Sequence, residues 1–231
     1  MTFLRVTGLS AGYGKSVVLR DVDLDVDEGE AVAIVGKNGA GKSTLLMSFF
    51  GETTVSAGSI MVGGLELCGL PGYLAAKQGA TLSPQGRMIL PHLTVKENLL
   101  LGEACRRKGP WTLDKVYELF PVLRERRNAS GMALSGGQQQ MLAVGRALLG
   151  NPRVLLLDEP SEGLSPVLID ELTGVFARIS ASGVGILIVE QHLNLVRRIT
   201  QRFLVMAKGQ IIDRGRTEDI DSEQHRTALA F

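Results

Sequence analysis

The segment Gly36-Lys37-Asn38-Gly39-Ala40-Gly41-Lys42-Ser43 has the glycines, the lysine and the hydroxyl of a loop that wraps a chain of phosphates. Backbone N–H groups close on phosphate oxygens only where positive φ angles and missing Cβ atoms allow it, and Gly36, Gly39 and Gly41 supply both. Lys42 then reaches the β- and γ-phosphates, and the Ser43 hydroxyl ligates Mg²⁺. A second glycine-rich segment, Leu134-Ser135-Gly136-Gly137-Gln138, opens a polar-then-apolar helical stretch. Its N–H groups and helix dipole form an anion site with no lysine nearby, which suits a cap that completes a phosphate pocket elsewhere. A third segment, Val154-Leu155-Leu156-Leu157, runs as an apolar strand straight into Asp158-Glu159-Pro160. Ligands gather at the carboxyl ends of strands in open α/β sheets. Asp158 is therefore read as holding Mg²⁺ through its water shell, and Glu159 as polarising the water that attacks a γ-phosphate.

Patterning places each segment on an element. Strands are expected over 3–6, 17–20, 31–35, 58–62 and 80–83, with a helix over 43–50 immediately after the first glycine loop. Between 94 and 149 the character changes to helical stretches at 94–101, 112–120 and 137–149, broken by Gly109-Pro110 and by 128–131. Alternation then resumes, with strands over 154–157, 186–189 and 203–206 and helices over 166–180 and 193–199. Strands alternating with helices imply a largely parallel sheet covered on both faces, here with an antiparallel β edge and an inserted α-helical subdomain.

The chain has 231 residues, enough for one domain with a modest insertion. Residues 1–93 and 151–231 are expected to form the core and 94–150 the inserted helical subdomain. A net charge of +1 gives no electrostatic footprint for nucleic acid. No apolar run approaches the ~20 residues that span a bilayer, and the start has no signal-peptide architecture, so a soluble cytosolic chain is expected. Cys68 and Cys105 lack the paired spacing of a zinc site or disulfide framework and are read as ordinary thiols. His92 and His225 are read as surface residues.

From Tyr13 to about Gly215, the order of these motifs resembles that of the ATP-binding cassette subunits of membrane transporters, whose cores are of the phosphate-loop NTPase (RecA-like) type. The resemblance implies that Tyr13 stacks on adenine and that residues 36–44, ending in Thr44, form the phosphate loop. It implies that Gln85 links Mg²⁺ to a membrane subunit, that residues 134–138 are the signature, and that residues 161–165 cross a dimer interface. It further implies ATP and Mg²⁺ as cofactors and head-to-tail pairing with a second cassette, each ATP lying between the loop of one chain and Ser135, Gly136, Gly137 and Gln138 of the other. Transmembrane permease subunits would be the direct partners and a solute-binding protein an indirect one. The cassette would sit at the cytoplasmic face of the membrane, with no nucleic acid partner.

Two positions depart from the common pattern. Counting back from Arg202, the place of the usual γ-phosphate-contacting histidine falls on Gln191, with His192 next to it. Neighbours on an extended segment point opposite ways, so one of the two faces the nucleotide; Gln191, whose amide can donate, is favoured, and His192 is the alternative. Ser165 stands where many members carry aspartate, which bears on how the two ATP sites are coupled. Residues 84–87, 134–140 and 189–191 resemble the importers of branched-chain amino acids and of urea or short amides, with 159–163 and the surroundings of Gln191-His192 leaning to the latter. Two other classes share the phosphate loop. A soluble cassette ATPase acting on nucleic acid or ribosomes would carry long heptads or a second cassette, and the 92 positions between Ser43 and Ser135 (135 minus 43) carry no heptads. A small-molecule kinase would leave residues 134–138 unexplained.

Overall fold

The computed structural model describes residues 2–229. Ten strands run in chain order as β1 (Thr2–Tyr13), β2 (Ser16–Asp27), β3 (Ala31–Val35), β4 (Thr54–Val62), β5 (Leu65–Glu66), β6 (Ala80–Ser83), β7 (Val154–Asp158), β8 (Gly185–Glu190), β9 (Arg202–Ala207) and β10 (Gln210–Arg216). The helices are α1 (Lys42–Ser48), α2 (Tyr73–Gln78), α3 (Val95–Leu100), α4 (Leu113–Leu119), α5 (Pro121–Glu125), α6 (Gly136–Leu148), α7 (Pro166–Ala181), α8 (Leu193–Ile199) and α9 (Glu223–Leu229). The fold is α/β. One sheet has the order β10-β9-β3-β8-β7-β6, parallel except for β10, and a second antiparallel sheet has the order β2-β1-β4-β5.

The parallel strands are continuous apolar runs because both of their faces are covered. Every residue of β3, β7 and β8 is buried. Side chains alternate across the pleat, so one β7 residue serves one core and its neighbour the other. Leu155 and Leu157 join Ala33, Ile186, Ile188, Leu142 and Phe176 against the helices. Val154 and Leu156 join Ile34, Leu187, Leu9, Val22 and Phe49 between the two sheets. Val95, Leu99, Val116 and Leu123 of α3, α4 and α5 belong to the first of these cores, so the helical segment between β6 and β7 packs continuously with the sheet. Thr94 caps α3 and Thr112 caps α4 through side-chain oxygens that accept backbone N–H groups.

Several expectations are corrected. The first two strands are 12 residues each rather than four, and β4 starts at Thr54 rather than Gly58. Bulges between Val6 and Leu9 and again before Gly12 shift the register and break the two-residue alternation by which strands are recognised. β5, α2, α5, β10 and α9 were not expected at all. His225 is not a surface residue: it is buried, its Nδ1 lies 2.6 Å from Asp213 Oδ2, and its ring meets Phe203 edge-on at 4.9 Å. It docks α9 onto the β9–β10 hairpin, a contact that exists only once the tail has folded back.

That hairpin also buttresses the glycine loop. Gly209 N–H donates to Ala40 O at 2.8 Å, and Gly209 O accepts from Arg20 N–H at 2.9 Å. Gly209 has φ +81°, and a Cβ there would lie 1.7 Å from Val18 O, so a side chain meets both strain and collision. Gly209→Ala is expected to lower unfolding free energy by more than about 1 kcal/mol in urea titrations. Gly14→Ala, with φ +57° but open space around it, should cost clearly less; equal losses at the two positions would contradict this account of the buttress.

Candidate functional site

The register of the parallel strands decides where the chemistry meets. Val35 pairs with Glu190 and Asp158 with Val189, so the chain leaves β3, β7 and β8 at one common edge of the sheet. Gly36 continues from β3 and donates its N–H to Glu190 O at 3.4 Å. The loop ends at Gly41, whose φ of 108° lets α1 start at Lys42 without a side-chain cap, leaving first-turn N–H groups turned toward the cleft rather than onto a side chain. Lys42 is buried at 4% exposure. Its Nζ donates to Gly36 O at 2.8 Å and Lys37 O at 3.1 Å, and lies 3.0 Å from Glu159 Oε1. The cleft, about 310 Å³, is lined by Asn38, Gly39, Lys42, Ser43, Thr44, Gln85 and Glu159, among others.

Asp158 closes β7 at 1% exposure. Its Oδ1 accepts from Ser43 Oγ at 2.9 Å, whereas Oδ2 is buried without a partner. Burial pushes the carboxyl up to about 6; the Ser43 hydroxyl opposes that shift and the neighbouring Glu159 charge reinforces it. Among the described residues no group of three or more His, Cys, Asp or Glu side chains could hold a metal alone. One carboxylate with a free oxygen, one hydroxyl and a nearby Gln85 amide instead suit a hard cation that completes its shell with water and phosphate oxygens.

Glu159 stands in the left-handed region with φ 46°, a costly backbone for a residue with a side chain, and its N–H donates to Val189 O at 3.0 Å. The turn aims its carboxylate back over the cleft. Oε2 accepts from Gln85 Nε2 at 3.4 Å and from Gln191 Nε2 at 3.3 Å, while Gln85 Nε2 also donates to Glu162 Oε2 at 3.0 Å. Gln191 Nε2 donates in addition to Asn38 Oδ1 at 2.7 Å, which joins the loop to the end of β8. Of the two candidates, then, Gln191 reaches the cleft. The His192 side chain is exposed, and its backbone N–H is held by Glu190 Oε2 at 3.2 Å.

Glu190 carries no role in the sequence reading, yet it organises this edge. At 1% exposure it accepts from Ser161 N–H at 3.0 Å, Gln191 N–H at 2.9 Å and His192 N–H at 3.2 Å. It thereby ties the turn after β7 to the end of β8. The only hint in the sequence is an acid closing an otherwise apolar strand.

Not every expected residue joins this cluster. Tyr13 is half-exposed at the end of β1, beside the β1–β2 turn, and Val18 of β2 is the residue of that hairpin that lines the cleft. Ser135 caps α6 in a reciprocal box: its Oγ accepts from Gln138 N–H at 3.4 Å, and Gln138 Oε1 accepts from Ser135 N–H at 3.1 Å. Gly137 is buried against α7, where a Cβ would lie 2.5 Å from the Leu168 side chain. Ser135 and Gly136 are exposed and do not line the cleft. Within one chain, the two glycine-rich sites therefore remain separate.

A sequence profile of the ABC transporter family matches residues 19–162. Among curated proteins, the chain is 42% identical over 206 residues to the high-affinity branched-chain amino acid transport ATP-binding protein BraG of Pseudomonas aeruginosa, covering 88% of each. It is 34% identical to the probable branched-chain amino acid transport ATP-binding protein LivF of Archaeoglobus fulgidus, covering 94% of this chain and 93% of that one. It is 30% identical to the lipopolysaccharide export system ATP-binding protein LptB of Haemophilus influenzae, covering 97% and 95%. Among solved structures, an ATP-binding cassette of an ABC transporter in its ADP conformation superposes with a TM-score of 0.84 at 27% identity, covering 100% of this chain and 98% of that one. The phosphate loop, the acids at the end of β7 and these matches lead to one conclusion: the chain belongs to the ABC transporter family, as one of its ATP-hydrolysing cassettes.

Proposed function

We propose that this cassette pairs with a second one, identical or homologous, around two ATP molecules, and that the cycle of closure and hydrolysis powers an importer. The observation that carries the pairing is the separation of Ser135 and Gly136 from the cleft lined by Lys42, Ser43 and Glu159. An exposed, lysine-free anion site at a helix start has a use if a neighbour's phosphates reach it, and in a two-fold pair each chain supplies one loop and one cap. ATP binding then favours the closed pair and hydrolysis releases it, which does work on a membrane partner that prefers one state.

Within each site the residues divide the labour. The loop amides and Lys42 hold the phosphates, and Tyr13 stacks on the base. Ser43, Asp158 and Gln85 are the residues that would hold Mg²⁺, which when bound neutralises charge on the phosphate oxygens. Glu159 orients and polarises the attacking water, and Gln191 donates toward the γ-phosphate from the opposite wall. No helix among the described residues is long and apolar enough to cross a membrane. In this reading permease subunits carry the solute, with the cassette docked on their cytoplasmic face and a solute-binding protein delivering cargo. Branched-chain or other hydrophobic amino acids are the favoured solutes, on the strength of the likeness to BraG and LivF. Urea or short amides remain the alternative on residues 159–163. Stimulation of the assembled complex by leucine-loaded rather than urea-loaded binding protein would distinguish the two.

Two outcomes test the site. Glu159→Gln should retain ATP binding and form an ATP-dependent dimer in light scattering, while turnover falls by about 100-fold or more. A monomer with ATP and persisting hydrolysis would contradict the assignment. Gln191→Ala should slow hydrolysis by about tenfold or more, whereas His192→Ala stays within about twofold; the reverse ranking in steady-state assays would return the γ-phosphate contact to His192.

A further inference from the structure

Immediately after Gln85 the backbone adopts three consecutive left-handed residues: Gly86 (φ 69°), Arg87 (φ 64°) and Met88 (φ 45°). For glycine this is easy; for Arg87 and Met88 it is strained and must be held by something outside the turn. The internal bonds are Arg87 N–H to Pro84 O at 3.1 Å and Met88 N–H to Gly86 O at 2.7 Å. From outside the turn, one guanidinium holds the carbonyls of both strained residues. Arg146 Nη2 donates to Arg87 O and Nη1 to Met88 O, each at 2.7 Å. A planar fork with two charge-assisted donors fixes the relative orientation of the two carbonyls, which a point charge cannot do.

What the turn positions is Gln85. Its backbone lies against the Asp158 carboxylate, and its amide reaches Glu159 Oε2 and Glu162 Oε2. Arg87 adds a bond from Nη2 to Glu162 O at 3.4 Å, so the turn also touches the segment after Glu159. Arg146 itself is on α6, the helix that Ser135 caps, and 11 positions (146 minus 135) separate the two by about 16 Å along the axis.

We propose that Arg146 is a positioning residue for hydrolysis: by clamping the carbonyls of Arg87 and Met88 from α6, it sets Gln85 over Asp158 and Glu159. Arg146 touches neither nucleotide nor attacking water, and acts through Gln85. The inference rests on the role given above to Gln85 at the Mg²⁺ site.

The test uses the full chain with MgATP, and reads kcat per nucleotide-binding site, the ATP dissociation constant and the Mg²⁺ concentration at half-maximal rate. Arg146→Met is expected to lower kcat by about tenfold or more, to leave the ATP dissociation constant within about twofold, and to raise the Mg²⁺ midpoint by about threefold or more. Arg146→Lys, with one compact donor group, should recover only part of kcat. Met88→Gly, at an exposed position, makes the left-handed turn easy without a clamp, so adding it to Arg146→Met should recover kcat by about threefold or more. An arginine needed only for folding would lower the melting temperature and the fraction of binding-competent protein while leaving per-site kcat and the Mg²⁺ midpoint at wild-type values. That result, or failure of Met88→Gly to recover kcat, overturns the proposal. Glu159→Gln is the control that separates the two levels: wild-type turnover in that variant would sink the functional reading itself, whereas its inactivity beside a wild-type-like Arg146→Met sinks the positioning role alone.

Discussion

Buried charge at the carboxyl edge of the parallel sheet is the constraint on which the rest of this structure depends. Lys42, Asp158, Glu159 and Glu190 are each less than a tenth exposed, and each is held differently. Glu190 accepts three backbone N–H groups, and Glu159 is paired with the Lys42 ammonium. Asp158 has one oxygen satisfied by Ser43 and one without any partner. Burying a carboxylate oxygen unpaired is costly, and proteins keep such a group where a ligand completes it. The excess of carboxylates over one lysine is what a divalent cation would balance, and this makes the edge of the sheet a site rather than a seam.

The strand register explains why these groups meet at all. Because Val35 lies opposite Glu190 and Asp158 opposite Val189, three loops leave the sheet within a hydrogen bond of one another. The second anion site has no such register. It starts α6, on the helical segment, and its geometry is set by its own capping box and by Gly137 against Leu168. The two glycine-rich sites thus stand on differently supported elements, as the proposed pairing requires, and Arg146 joins α6 to the Gln85 turn through the carbonyls of Arg87 and Met88.

The chemistry was legible in the sequence to the extent that it is local. Gly36, Gly41, Lys42 and Ser43 are close neighbours on the one segment that joins β3 to α1, and Asp158 and Glu159 follow the apolar strand that delivers them to the edge. The helical stretches expected from 94, 112 and 137 begin within two residues of α3, α4 and α6, whose caps are Thr94, Thr112 and Ser135. What could not be read depends on distant partners. Glu190 is defined by Ser161 N–H 29 residues away, Arg146 by carbonyls 58 and 59 residues away, and His225 by Asp213 across a turn and a helix start. The long strands β1 and β2 were hidden for another reason: their bulges shift register and scramble the alternation that marks a strand. The choice between Gln191 and His192 was open in the sequence because direction along an extended segment depends on where it begins; the structure turns Gln191 toward Asn38 and Glu159.

The central claim is that each nucleotide is completed by a cap from another chain. A structure of Glu159→Gln with MgATP measures this directly, as the distance from Ser135 Oγ of one protomer to the terminal phosphate held by Lys42 of its partner. The account predicts a hydrogen bond of about 3 Å. A nucleotide in contact with a single chain, with Ser135 facing solvent, would contradict it.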